Sequence, residues 1–313
     1  MASKTQAVLL MGHGTRDLDG AAQFVDLLSA VRAAAGGVRV EAGFLEFGGP
    51  MLPFIRDAVD GLVADGVREL LAVPVLLHDA NHTNADMPRE ARDAQARHPA
   101  LRLVMSDALG ISDALLDIVE GRFRDARLQL LDHEDAGTAM LLVGRGTSDA
   151  GANSDFFKIG RLLWERNRGL LVECCFVSLT EPTVPFGVDR CVRLGARRIV
   201  VVPYFLHTGV LVKRIASQAA SAVADHPGIE LAIGEPMGVH PNLVRLILDR
   251  IEDLRIGATE HGPRPPDPGG TSREGARGDR GAEPAAGGRR DRGLESVAAG
   301  RARDHSSRRL RER

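Results

Sequence analysis

The chain repeats itself. Gly12-His-Gly-Thr-Arg-Asp17 returns 132 residues later as Gly144-Arg-Gly-Thr-Ser-Asp149, and the same offset pairs Phe44 with Phe176, Pro50 with Pro182 and Pro53 with Pro185. Further along, Pro74-Val-Leu-Leu-His78 matches Pro203-Tyr-Phe-Leu-His207 at an offset of 129, while His98-Pro99 and Gly110 match His226-Pro227 and Gly238 at 128. Ordered matches spread over ~100 residues with so small a drift mark a duplicated domain, since solenoid arrays repeat every ~20–50 residues. A length of 313 residues, at ~150 per domain, agrees with two copies.

In the first copy, residues 7–11, 38–44, 70–77 and 101–105 are short Val- and Leu-rich runs bounded by Gly, Pro or Asp, the pattern of parallel strands buried on both faces. Residues 21–35, 51–64, 88–98 and 111–123 read as helices between and after them, with Pro88 suited to a first helical turn. The second copy repeats this order, from a strand at 140–143 to a helix at 241–254. Alternating βα units predict an α/β fold of two tandem parallel-sheet domains, 1–126 and 139–257, with an active-site cleft between them. Residues 258–313, rich in Arg, Gly and Pro without periodicity, predict a disordered tail.

Several classes of function are excluded early. No apolar run approaches the ~20 residues of a membrane span, and the first ten residues are too short for a secretory signal. Cys174, Cys175 and Cys191 form no CxxC pair and read as reduced core thiols of a cytoplasmic protein. Residues 1–257 hold 27 Lys and Arg against 33 Asp and Glu, a poor nucleic-acid binder; the tail, with 13 Arg against 9 acids, restores the total of −2. A phosphate loop at Gly12-x-Gly14 lacks the third glycine and has Asp17 facing any phosphate, and neither GxxxxGK[ST] nor GxSxG occurs.

Open α/β sheets bind ligands beyond the carboxyl ends of their strands. There the first copy carries His13 after its first strand, Glu46 after its second and His82 in the loop after its third. Neutral imidazoles at pH 7 bind a metal ion or accept a proton. Nitrogen and oxygen ligands without thiolate suit cobalt, nickel, iron(II) or zinc and do not choose among them.

These motifs resemble the CbiX/SirB-type sirohydrochlorin chelatases, the class II chelatases. The resemblance rests on Gly12-His13-Gly14-Thr15-Arg16, on Phe44-Leu45-Glu46, and on Val73-Pro74-Val75-Leu76-Leu77 leading to His82-Thr-Asn-Ala-Asp86-Met-Pro88. In the second copy, Gly144-Arg145-Gly146-Thr147-Ser148-Asp149, Ala152-Asn153-Ser154-Asp155, Leu162-Leu163-Trp164-Glu165 and Pro203-Tyr-Phe-Leu-His-Thr-Gly-Val-Leu-Val-Lys-Arg214 resemble the long, two-domain cobaltochelatase form. The resemblance covers about residues 6–255. It implies a lyase-class enzyme that inserts a divalent metal, Co²⁺ foremost, into the tetrapyrrole sirohydrochlorin for cobalamin. Fe²⁺ for siroheme or Ni²⁺ is the alternative, and a non-catalytic metal or tetrapyrrole carrier is the reading from another class. The metal is a substrate, and no permanently bound cofactor, nucleic acid or membrane is expected. It also implies that His13 and His82 are the metal-binding and proton-accepting histidines, with Glu46 their acidic catalytic partner.

The second copy has Arg145, Ser178 and Leu211 at these three positions, which leaves one site per chain. Arg145, Lys213 and Arg214 are the candidates to bind the carboxylates of the tetrapyrrole. His78 and His207 stand as metal-delivery or structural residues, and His98 and His226 as structural ones.

Overall fold

The computed structural model describes residues 5–47, 51–77, 81–131 and 136–260, without the side chains of 81–85 and 258–260. Strands and helices alternate throughout: β1 (Gln6–Gly12), α1 (Leu18–Ala34), β2 (Arg39–Phe44), α2 (Ile55–Ala64), β3 (Glu69–Pro74), α3 (Asn81–Arg97), β4 (Arg102–Met105) and α4 (Asp113–Arg127). The second half follows as β5 (Thr138–Gly144), α5 (Ala150–Arg166), β6 (Leu171–Phe176), α6 (Val184–Arg193), β7 (Arg198–Pro203), α7 (Val210–Ala224), β8 (Glu230–Ile233) and α8 (Pro241–Glu260). Each half forms a four-stranded sheet, of order β2-β1-β3-β4 or β6-β5-β7-β8, with every described pairing parallel.

Successive residues of a strand face opposite sides of its sheet, so an unbroken apolar strand must be covered twice. Leu9 and Met11 of β1 join Ile55 and Val59 of α2 and Met87 of α3 in an outer core. Leu141 and Val143 of β5 join Val188 of α6 and Ile215 of α7 on the far side. Val8 and Leu10, and Met140 and Leu142, turn inward to one continuous core that includes Phe24, Leu115, Phe156 and Leu243. The middle layer of α1, α4, α5 and α8 thus lies between the two sheets.

Within that layer the last helix of each half crosses over. α8 packs on β3 and β4 of the first sheet, while α4 packs on β7 and β8 of the second. A matched pair of arginines fastens the exchange. Arg122 of α4 donates to the carbonyl of Met237 at 2.7 Å, and Arg250 of α8 to that of Leu109 at 3.2 Å.

Two boundaries differ from the sequence reading. α3 starts at Asn81, so His82 is its second residue rather than part of a loop, and Pro88 lies inside the helix rather than in its first turn. Pro88 removes the N–H that would meet the carbonyl four residues earlier, a local loss that the helix tolerates with Met87 and Ala91 buried. α8 continues to Glu260, so three residues of the expected tail are helical. The rest of that tail lies outside the described residues. Among the described residues no helix is long and apolar enough to cross a membrane.

Candidate active site

The pairing of β1 with β2 continues past the end of both strands. The Leu45 N–H donates to the Gly12 carbonyl at 2.9 Å and the Glu46 N–H to the His13 carbonyl at 2.8 Å. Gly14 makes this possible, with φ of 99° and a position where a Cβ would stand 1.8 Å from the Glu46 carbonyl oxygen. An L side chain would meet both the strain of positive φ and a steric collision. Met11 meanwhile accepts from the Val75 N–H at 2.9 Å, tying the segment after β3 to the same strand end. Because β2, β1 and β3 are neighbours in the sheet, Glu46, His13 and His82 arise at three adjacent strand ends on one edge. The imidazole of His82, and the whole of His78, lie outside the described residues.

His13 Nδ1 is buried and meets no hydrogen-bond partner among the described residues. A buried ring nitrogen left unpaired costs about 1–3 kcal/mol, which a metal bond or a proton shared with a ligand offsets. Glu46 is exposed at the rim. No three described His, Cys, Asp or Glu side chains converge to hold a metal ion, a set that does not include His82.

The second half keeps the frame and changes the side chains. Ser178 donates through its N–H to the Arg145 carbonyl at 3.1 Å, and Gly146 repeats the positive φ at 83°. Phe47 and its counterpart Leu179 both hold positive φ, 51° and 67°, which is unusual for bulky residues and marks a preserved turn. Apolar side chains are exposed around these strand ends: Phe47, Met51 and Phe54 in the first half, Leu179, Phe186 and Val210 in the second. The Arg16 guanidinium lies 4.5 Å over the Phe47 ring.

The cations expected on the second half divide into two kinds. Arg145 and Arg214 are exposed, and among the described residues neither forms an ion pair. The Lys213 ammonium sits between two carboxylates of the first half, 2.8 Å from Asp17 Oδ2 and 3.1 Å from Asp19 Oδ2. That hydrogen bond holds the Asp17 carboxyl below its usual range and raises Lys213 above its own. Sequence reasoning gave no site role to Asp17, Asp19, Gly20 or Gln23, although comparing the two copies position by position would have exposed three of them: Asp19, Gly20 and Gln23 become Gly151, Ala152 and Asp155.

His207 lies beyond β7 with both ring nitrogens buried and, among the described residues, unpartnered, its ring centroid 5.5 Å from that of Phe24 in α1. Burial pushes its pKa down from 6.5 to about 4. His98 binds Asp60 at 2.7 Å, a link between α2 and the end of α3 that suits the structural role expected of it. The three cysteines are free and buried, and burial lifts the Cys174 and Cys191 thiols to about 12, far from thiolate reactivity.

The CbiX family model matches residues 7–126 and again 139–254. A sirohydrochlorin cobaltochelatase of Priestia megaterium is 34% identical over 249 residues, 79% of each chain. A sirohydrochlorin ferrochelatase of the same organism is 27% identical over 79% of this chain and 90% of its own. Among solved structures, SirB from Bacillus subtilis with Fe³⁺ superimposes with a TM-score of 0.69 at 25% identity, covering 82% of this chain and 97% of that one. The sirohydrochlorin chelatase SirB from Bacillus subtilis subspecies spizizenii in complex with cobalt gives 0.65, at the same identity and coverage.

Proposed function

This chain belongs to the CbiX family, and from that premise we propose that it inserts a divalent metal, Co²⁺ ahead of Fe²⁺ or Ni²⁺, into sirohydrochlorin. The observation that carries the reading is that one strand-end frame, built alike in both halves, bears His13 and Glu46 in the first and Arg145 and Ser178 in the second. Metallation removes pyrrole N–H protons while the ion sheds water. In this proposal His13 and His82 hold the ion above the macrocycle as neutral imidazoles and accept protons, and exposed Glu46 passes them to solvent. The apolar rim of Phe47, Met51, Phe54, Leu179, Phe186 and Val210 suits a flat macrocycle. Arg145 and Arg214, exposed and without an ion pair among the described residues, suit its carboxylates. Lys213, the third cation offered for that role, is already engaged by Asp17 and Asp19. The metal is substrate, and the cytoplasm, where buried free thiols stay reduced, suits the reaction.

The test mixes anaerobic sirohydrochlorin with Co²⁺, Fe²⁺ or Ni²⁺ separately and follows the macrocycle absorbance with and without protein. Acceleration, greatest with Co²⁺, is expected. Binding of metal and macrocycle with no acceleration would make the protein a carrier and refute the enzyme reading.

A further inference from the structure

One segment of the second half reaches across to the loop that carries His13. The Thr208 N–H donates to Gln23 Oε1 at 2.8 Å. The Thr208 carbonyl lies directly over Gly20, where a Cβ would stand only 2.5 Å from the oxygen. The His207 ring meets Phe24, whose own ring tip packs against Gly12. Beyond these, Lys213 holds Asp17 and Asp19. Asp17 is the residue through which this grip reaches the site. Its side chain caps α1 by accepting from the Gly20 N–H at 3.2 Å, and its own N–H donates to Thr15 Oγ1 at 3.1 Å. The loop from His13 to Asp17 is therefore held at one end by Glu46 and at the other by Lys213.

The residue types that make this contact are not repeated in the other half. At the corresponding positions of the other half, Lys213 has Asn84, Asp19 has Gly151 and Gly20 has Ala152. Those residue types supply neither the ion pair nor the glycine that admits a carbonyl at close range. The sequence supplies the charged grip to the half that bears His13, and its side chains differ in exposure. Asp17 is 8% exposed and Asp19 73%, so the Asp17 arm is the better shielded from solvent.

Resting on the chelatase reading above, we propose that residues 207–213 clamp the His13 loop and that Lys213 is a positioning residue for metal insertion, acting through Asp17. The second half then contributes more than a wall to the site: it sets the angle from which the metal-binding imidazole approaches the macrocycle. An ion pair this exposed contributes little to overall stability. Misplacing a reacting group by ~1 Å, in contrast, can lower a rate by about 100-fold.

The experiment compares Lys213→Met, Lys213→Arg, Asp17→Asn and the Lys213→Met/Asp17→Asn double variant in full-length protein. Asn preserves the helix cap and removes the charge. Lys213→Met should lower kcat for Co²⁺ insertion about tenfold, leave the KM for sirohydrochlorin and the melting temperature essentially unchanged, and be largely rescued by Lys213→Arg. Asp17→Asn should match Lys213→Met, and the double variant should be no worse than either. A raised KM with kcat preserved would show Lys213 binding a substrate carboxylate and would overturn the proposal, as would an unchanged kcat or losses that multiply in the double variant. Wild-type protein that inserts none of the three metals refutes the chelatase reading itself, whereas an active wild type with any of those variant results refutes the clamp alone.

Discussion

Acid should weaken this protein through His207. Its imidazole nitrogens are both buried without a partner among the described residues, and burial lowers its pKa from 6.5 to about 4. An unfolded chain takes up this proton as pH falls through 6.5, but the folded protein resists until pH approaches 4. Stability attributable to the neutral ring is thus fully present above pH 6.5 and declines below it. One pKa unit is worth ~1.4 kcal/mol, so the deficit is about 2 kcal/mol at pH 5 and levels off near ~3 kcal/mol below pH 4. His207→Phe keeps an aromatic ring against Phe24 and removes the proton site. Urea unfolding followed by circular dichroism at pH 7.5, 6 and 5 should show the wild type losing about 2 kcal/mol more than the variant across that range. Asp17 and Asp60, whose carboxyls are held low by Lys213 and His98, lose their stabilisation only near and below their ordinary pKa of 3.8, and they do so equally in both proteins. Parallel pH profiles for wild type and His207→Phe would refute the reasoning.

Three further outcomes follow from particular contacts. His82→Ala and His13→Ala should each lower the initial rate of metallation per folded molecule by about 10²–10⁴-fold, whereas Leu211→Ala, at the matching position of the second half, should cost about 2 kcal/mol in urea unfolding and retain activity. Gly14→Ala should destabilise by about 2–3 kcal/mol and slow insertion, because its Cβ would displace the Glu46 carbonyl; a thermal melt and a rate measurement check both. Gly20→Ala would stabilise an unconstrained helix by about 1 kcal/mol, yet here the melting temperature should fall because the new methyl meets the Thr208 carbonyl.

The duplication, the alternation of strands and helices, and the places of His13 after β1 and Glu46 after β2 were legible in the sequence because they depend on local apolar runs and on chain order. The start of α3 was not. The run from Asn81 to Asp86 is polar and carries no apolar period, and Pro88 resembled a helix beginning when it is the eighth residue of one. The crossing of α4 and α8 was likewise hidden. Periodicity reveals that a helix has an apolar face without revealing which sheet covers it, and Leu115 and Leu243 look alike in that respect. Lys213 read as a free cation because its partners, Asp17 and Asp19, stand nearly two hundred residues away and count as ordinary helix-start acids until the fold brings them together.

The exchange of α4 and α8 also governs how the chain acquires order. A fragment ending after α4 would leave β3 and β4 without the helix that covers them, and its own α4 without the β7 and β8 on which it lies. β3 must wait for α8, at the far end of the described chain, so closing that contact carries the entropy of a very long loop and favours slow, all-or-none folding. The same topology constrains drift between the copies. The second half has Arg145, Ser178 and Leu211 where the first has its imidazoles and carboxylate, but Leu243 and Ile247 of α8 share a core with Val8 and Leu10, two strand residues just upstream of His13. A substitution there, in the second half, reaches the core beneath the strand end from which His13 rises.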